Sequence, residues 1–273
     1  MQLTIVALGS YGDVLPFVAL GKGLLNAGYG VRIATFQTFA DLITKHGLEF
    51  APVEGDPRQV LQSQTGQIWL ESGRDPVKFI TMLRKLYSPE SLQRALKDTL
   101  AACQGSDAVL YTPLGAAGYH VAERLGIPRL YLALQPISRT REYPSIFMPQ
   151  WKIGAGYNWI SYLITEQLMW QTLRAQANRW RVEILDLKPM PYLGPFNILY
   201  KDKAPMIFGY SQHVVPRPAD IPDWHHIAGY WFLESEDDWS PPAGLEGFLV
   251  KEPKPIYIGF GSMSGGVARD LVR

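Results

Sequence analysis

Two patterns of apolar residues alternate from the start of the chain. Leu3 to Leu8 is an unbroken apolar, β-branched run, the mark of a strand covered on both faces. From Asp13 to Ala27 the residues Val14, Phe17, Val18, Leu20, Leu24 and Leu25 return at helical spacing, and Gly28 stands where that helix would end. Val31 to Thr35 and Leu48 to Pro52 read as further strands, with a helix over Phe39 to His46 between them. The middle predicts helices over Pro76 to Tyr87 and Pro89 to Cys103, each opening on proline, where a missing N–H costs nothing. Ala108 to Thr112 and Pro128 to Leu134 are buried strands flanking a helix over Ala116 to Leu125. Pro136 to Gly156, rich in proline, glycine and aromatics, reads as a loop, followed by a long helix over Tyr157 to Leu187. Met206 to Gly209 and Ile227 to Gly229 are short late strands. Strand and helix alternation of this kind predicts an α/β, doubly wound parallel sheet.

Between Leu233 and Pro255 the pattern gives way to acids and prolines, the chemistry of a linker, and Ile256 to Phe260 then starts a new strand. The expected organisation is a domain over residues 1–232, a linker over 233–255 and the start of a second domain over 256–273.

Composition narrows the function. The 273 residues carry 26 basic and 25 acidic side chains, a formal net charge of +1, which argues against a nucleic-acid partner. Hydrophobic residues make up 47%, enough for a sizeable core, so a disordered chain is excluded. The single cysteine, Cys103, excludes a disulfide framework and a cysteine-based metal site. The N-terminus lacks the basic lead-in and long apolar run of a signal peptide, and no run is long enough to span a bilayer. A cytoplasmic location is expected, with peripheral membrane contact left open.

The turn Gly9-Ser10-Tyr11-Gly12-Asp13 lies between the first strand and the first helix. Backbone N–H groups at a helix start favour an anion, and glycines let it approach, which makes Ser10 and Gly12 candidate diphosphate contacts. The plain alternative is a tight turn. A dinucleotide site fails on two counts: the glycines do not follow G-x-G-x-x-G, and the second strand ends Thr35-Phe36 without an acid. A phosphate P-loop fails because no Gly-Lys-Ser/Thr follows. Asp13 is either a first-turn carboxylate stabilised by the helix dipole or a general base in the crevice at the carboxyl ends of the strands.

The stretch from Gly9 to Gly21, GSYGDVLPFVALG, resembles the opening of the sterol-glucosyltransferase branch of family 1 glycosyltransferases, and is similar to that of glycopeptide-antibiotic glycosyltransferases. Four further stretches agree in order: Gly47 to Phe50 with Gly55 to Arg58, Asn178 to Arg181, Gly229 to Leu233, and Tyr257 to Met263. The resemblance implies a GT-B fold, in which two Rossmann-like domains face each other across a cleft, the first taking the acceptor and the second the nucleotide sugar. It implies inverting transfer of a hexose, glucose from UDP-glucose, to a hydroxyl of a lipophilic, sterol-like acceptor, without metal or other cofactor. It makes Asp13 the base, and Gly261 and Ser262 contacts of the donor diphosphate. Tyr11 departs from the family, where arginine is common. A second domain needs on the order of 150 residues, far more than residues 256–273 supply, so the chain reads as a truncated form, expected to be inactive alone.

The five histidines show no metal-ligand spacing, and no G-x-S-x-G elbow marks a hydrolase. His120 reads as a satisfied histidine. Core packing accounts for most of the aromatics between Tyr143 and Trp180; Phe147, Trp151, Trp159 and Trp170 are the candidates to line an acceptor pocket or touch lipid. Two readings stand: a sugar transferase, or a non-catalytic remnant that binds the acceptor or a lipid.

Overall fold

The structure is a computed structural model of the chain and describes residues 1–56, 89–234, 240–242, 244–251 and 253–258. Seven strands form one sheet: β1 (Gln2–Val6), β2 (Gly30–Thr35), β3 (Glu49–Pro52), β4 (Ala108–Tyr111), β5 (Arg129–Ala133), β6 (Met206–Phe208) and β7 (His225–Ile227). Their order is β3-β2-β1-β4-β5-β6-β7, and every pair is parallel. In β1, Ile5 aligns with Ile33 of β2 on one side and Leu110 of β4 on the other.

Because side chains alternate along a strand, β1 feeds two cores. Leu3 and Ile5 pack with Val14, Phe17 and Val18 of α1 (Tyr11–Asn26) and Ile43 of α2 (Ala40–Lys45). Val6 packs on the opposite face with side chains of α3 (Pro89–Cys103), α4 (Ala117–Leu125), α5 (Ala155–Glu183) and α6 (Gly194–Lys201). Parallel strands buried on both faces are mostly apolar, which is why the central strands read as nearly continuous apolar runs.

Several boundaries differ from the sequence reading. The long helix begins at Ala155 and ends at Glu183, earlier than expected, because Ile184 caps it and the chain then reaches a positive φ of 51° at Asp186. α6 was not anticipated; its signal is Pro195 in the first turn, hidden among the prolines around it. The last strand is His225–Ile227 rather than Ile227 to Gly229, since Gly229 turns the chain at φ 80°. A short helix α7 (Leu245–Leu249) interrupts the expected linker. Residues 256–258 are exposed and form no strand; among the described residues no neighbour offers them a ladder of hydrogen bonds. The expected helix over Pro76 to Tyr87 lies outside the described residues.

Candidate active site

The connection from β1 to α1 is built around one carboxylate. Ser10 is the N-cap of α1 and Asp13 the third helical residue. Asp13 Oδ2 accepts the Ser10 backbone N–H at 2.8 Å and the Ser10 hydroxyl at 2.9 Å. The capping role weighed for Asp13 is therefore real. Gly9 makes it possible: its φ is +137°, and a Cβ there would lie 2.6 Å from Asp13 Oδ2. Only Oδ2 is used, and Oδ1 carries no hydrogen bond among the described residues. Ser10 has spent its amide on Asp13, so the open approach for an anion is over Gly12, where nothing lies within 4 Å of the Cβ position.

This turn sits at the switch point of the sheet. Helices leave on one face after β1 and β2 and on the other after β4 and β5, which opens a crevice between the carboxyl ends of β1 and β4. The connection after β4 forms the second wall. Thr112 N–H donates to Val6 O at 3.1 Å, and Gly115 N–H donates to Thr112 Oγ1 at 3.1 Å. A Cβ on Gly115 would lie 2.2 Å from Val6 O, so only glycine lets this loop press on the end of β1. The loop presents Leu114 to solvent, and the Tyr11 ring is exposed beside Phe39 at 6.4 Å between centroids. Sequence reasoning missed the Thr112 to Gly115 wall; a Thr-Pro-Leu-Gly turn after a fully buried strand was the available signal.

After β7 the chain returns across the carboxyl edge of the sheet. Trp231 packs at a tilt against Phe17 of α1 at 5.6 Å between centroids, and a Cβ on Gly209 would meet the Trp231 ring at 2.9 Å and Leu134 at 3.1 Å. The Gly229 to Leu233 stretch thus braces the helix that carries Asp13.

The four aromatic candidates fall into different environments. Phe147 and Trp151 are exposed, at 38% and 59%, and Trp151 sits 5.6 Å from the Tyr157 ring. Trp159 is half-buried beneath the Arg141 guanidinium at 4.9 Å. Trp170 is a correction: it belongs to the core, 5% exposed, with Nε1 donating to Tyr192 O at 2.9 Å and Gly194 against its ring. A ring enclosed in this way cannot meet a ligand. Gly261 and Ser262 lie outside the described residues.

The loop from Pro136 to Gly154 is anchored by groups the sequence reading did not single out. Arg139 makes a buried ion pair with Glu166 of α5, donates to Asn197 Oδ1 at 2.8 Å, and lies 4.2 Å from the Tyr200 ring. Burial raises the Glu166 carboxyl, and hydrogen bonds from Arg139 oppose the rise. Ser138 Oγ and His225 Nδ1 are 2.7 Å apart. His120 is buried against Arg181, which also grips Glu123; burial and the Arg181 charge hold the imidazole down to about 3. It is a neutral core histidine. Among the described residues no three His, Cys, Asp or Glu side chains gather as a metal would require.

Residues 3–144 match the family described as the glycosyltransferase family 28 N-terminal domain. The sterol 3-beta-glucosyltransferase of Aspergillus fumigatus is 38% identical over 268 residues, which is 96% of this chain and 18% of that protein. The sterol 3-beta-glucosyltransferase of Neurospora crassa is 40% identical over 269 residues, again 96% of this chain and 17% of that protein. The chain therefore spans less than a fifth of the length of these relatives. Among solved structures, the glycotransferase of kitacinnamycin superposes with a TM-score of 0.53 at 18% identity, over 90% of this chain and 56% of that one. At that identity the likeness is one of fold.

Proposed function

Since this chain belongs to glycosyltransferase family 28 through its N-terminal domain, we propose that it forms the acceptor half of an inverting GT-B glycosyltransferase. The reaction is transfer of a hexose, glucose from UDP-glucose, to the hydroxyl of a sterol-like acceptor. The observation that carries this reading is the Asp13 carboxylate, held by Ser10 at the mouth of the β1–β4 crevice through Oδ2, with no hydrogen bond to Oδ1 among the described residues. Asp13 takes the proton from the acceptor hydroxyl as that oxygen bonds to the anomeric carbon. The bond from that carbon to the diphosphate breaks, and its electron pair leaves with UDP. The two hydrogen bonds to Oδ2 orient the carboxylate so that Oδ1 faces the acceptor.

The Gly12 amide and the positive end of α1 favour the departing diphosphate from this side, electrostatic help that requires no metal. Gly261 and Ser262 are its proposed partners from the donor side. Tyr11 and Leu114, exposed at the crevice, give a flat apolar acceptor its first contacts, and Phe147, Trp151 and Trp159 extend the apolar surface. The similarity to sterol 3-beta-glucosyltransferases supports the choice of acceptor and sugar.

Asp13→Asn is the test, made in a polypeptide that also carries a nucleotide-sugar-binding domain. Glucosyl transfer to a sterol should fall by about 10²–10⁴, with sterol binding retained. Unchanged turnover removes Asp13 from the role of base. If sterol binds without any transfer in that longer protein, the non-catalytic binding reading takes its place.

A further inference from the structure

A polar groove lies between α3 and α5, on the face of the sheet opposite α1. It holds about 140 Å³ and is lined by Glu90 and Gln93 of α3 and by Gln176, Arg179, Trp180 and Glu183 of α5. Steps of three and four residues put the four α5 side chains on one face of that helix, and Glu90 and Gln93 on one face of the other. Trp180 is half-buried, with its ring packed against the core beneath. Its indole Nε1 is buried and has no hydrogen-bond acceptor among the described residues. Nearly all buried donors in folded proteins are satisfied, so this one asks for a partner. Elsewhere on α5 the polar heads are committed: Gln167, Gln171 and Asn178 donate to backbone carbonyls, and Arg181 grips Glu123. Gln93, Gln176, Arg179 and Glu183 make no such bond among the described residues.

The chemistry of this lining selects its ligand. Trp180 can only donate a hydrogen bond, so the ligand must bring an acceptor. Ionised Glu90 and Glu183 can only accept, so it must also bring donors. A hydroxyl does both. Two carboxylates against one guanidinium disfavour an anion, which sets the groove apart from a diphosphate site. A simple ammonium ion would answer the carboxylates and lie against the indole face, yet it leaves Nε1 without an acceptor. The volume is well below the roughly 300 Å³ at which pockets for drug-sized ligands begin, so a single ring fits better than a sterol. A neutral sugar meets all of these terms. Its hydroxyls pair with the carboxylates, amides, guanidinium and indole N–H, and its C–H face packs on the apolar body of the tryptophan.

We propose that the α3–α5 groove around Trp180 is a binding site for a neutral saccharide unit, separate from the Asp13 crevice. The site does not depend on the transferase reading, and its test involves no transfer. The 273-residue chain, isotopically labelled, is titrated with glucose, galactose and mannose while its indole N–H signals are followed by NMR. The Trp180 signal is the one lost in Trp180→Phe, a change that keeps an aromatic ring in place. At least one sugar should move that signal saturably in the millimolar range, and UDP and tetramethylammonium should leave it where it is. Glu183→Gln, an exposed change, removes a charged acceptor and should weaken the sugar by about tenfold. Asp13→Asn should bind it as the parent does. If Trp180→Phe fails to fold, tryptophan fluorescence titrations of the parent and Glu183→Gln decide the matter. Four results would each overturn the proposal: a parent chain that ignores all three sugars, a folded Glu183→Gln that binds as the parent does, a response to UDP or tetramethylammonium in place of the sugars, or loss of sugar binding in Asp13→Asn, which would put the sugar in the crevice.

Discussion

At the scale of residues, the crevice depends on two glycines, Gly9 and Gly115, that act by what they lack. Gly9 holds a conformation closed to most side chains and leaves room for Asp13 to fold back onto Ser10. Gly9→Ala should cost about 1–3 kcal/mol through backbone strain alone, and its methyl group would displace the carboxylate. The check is a fall in the thermal midpoint together with a loss of transfer activity in the two-domain enzyme. Ser10→Ala is the milder companion. It removes the hydroxyl bond to Oδ2 but keeps the amide bond, and should cost about 0.5–2 kcal/mol with activity reduced less than in Asp13→Asn. If Ser10→Ala and Asp13→Asn reduce transfer equally while Ser10→Ala stays folded, orientation by the hydroxyl outweighs proton transfer.

At the scale of elements, α5 is the longest helix among the described residues, and the loop before it is held by side chains, the Arg139–Glu166 ion pair foremost, instead of by secondary structure. Arg139 and Glu166 satisfy each other in a buried site, with Asn197 and Tyr200 closing the remainder. Breaking such a pair leaves one uncompensated charge. Arg139→Met should therefore destabilise the fold by about 3–5 kcal/mol, whereas Arg139→Met/Glu166→Leu should recover much of the loss. Urea denaturation of both single variants and the double variant measures the coupling, and losses that simply add would show that the pair contributes none.

For the whole molecule, the sheet lies between the two cores, and the second face holds histidines kept neutral by burial. His120 is held down to about 3 and His225, buried and near Arg217, to about 4. In the unfolded chain both titrate near 6.5. Between those values the unfolded state binds more protons than the native one, so stability rises with pH there and is lost as pH falls below about 6.5. Each histidine contributes a slope of up to about 1.4 kcal/mol per pH unit in that window. Urea midpoints at neutral and mildly acidic pH should diverge accordingly, and a folded His120→Gln variant should show the shallower dependence. A second expectation concerns the donor. The β1–β4 crevice has only the proposed Gly12 approach for a diphosphate and, among the described residues, no pocket for a base or ribose, so titration calorimetry of the 273-residue chain with UDP should show weak binding or none. Micromolar affinity would require a donor site within these residues.

Sequence and tertiary structure divided the information along physical lines. The parallel sheet was legible because strands buried on both faces read as mainly apolar runs, as from Leu3 to Val6, from Val31 to Thr35 and from Ala108 to Tyr111, with Arg32 tolerated in the second by its ion pair to Glu49. The placement of Asp13 at the carboxyl end of the first strand was legible for the same reason, since a turn follows directly where the apolar run stops. Local signals failed where the deciding partner lies far along the chain. Gly115 fits under the end of β1 more than a hundred residues from Val6 in sequence. Arg139 needs Glu166 and Asn197, and Trp170 is closed off by Tyr192 and Gly194. An apolar side chain at helical spacing reads the same whether its face meets the core or solvent, so sequence alone could not separate buried Trp170 from exposed Ile160, Ile164 and Leu168. That distinction is made by which elements pack on which side of α5, and packing across the sheet is set only when the whole chain has folded.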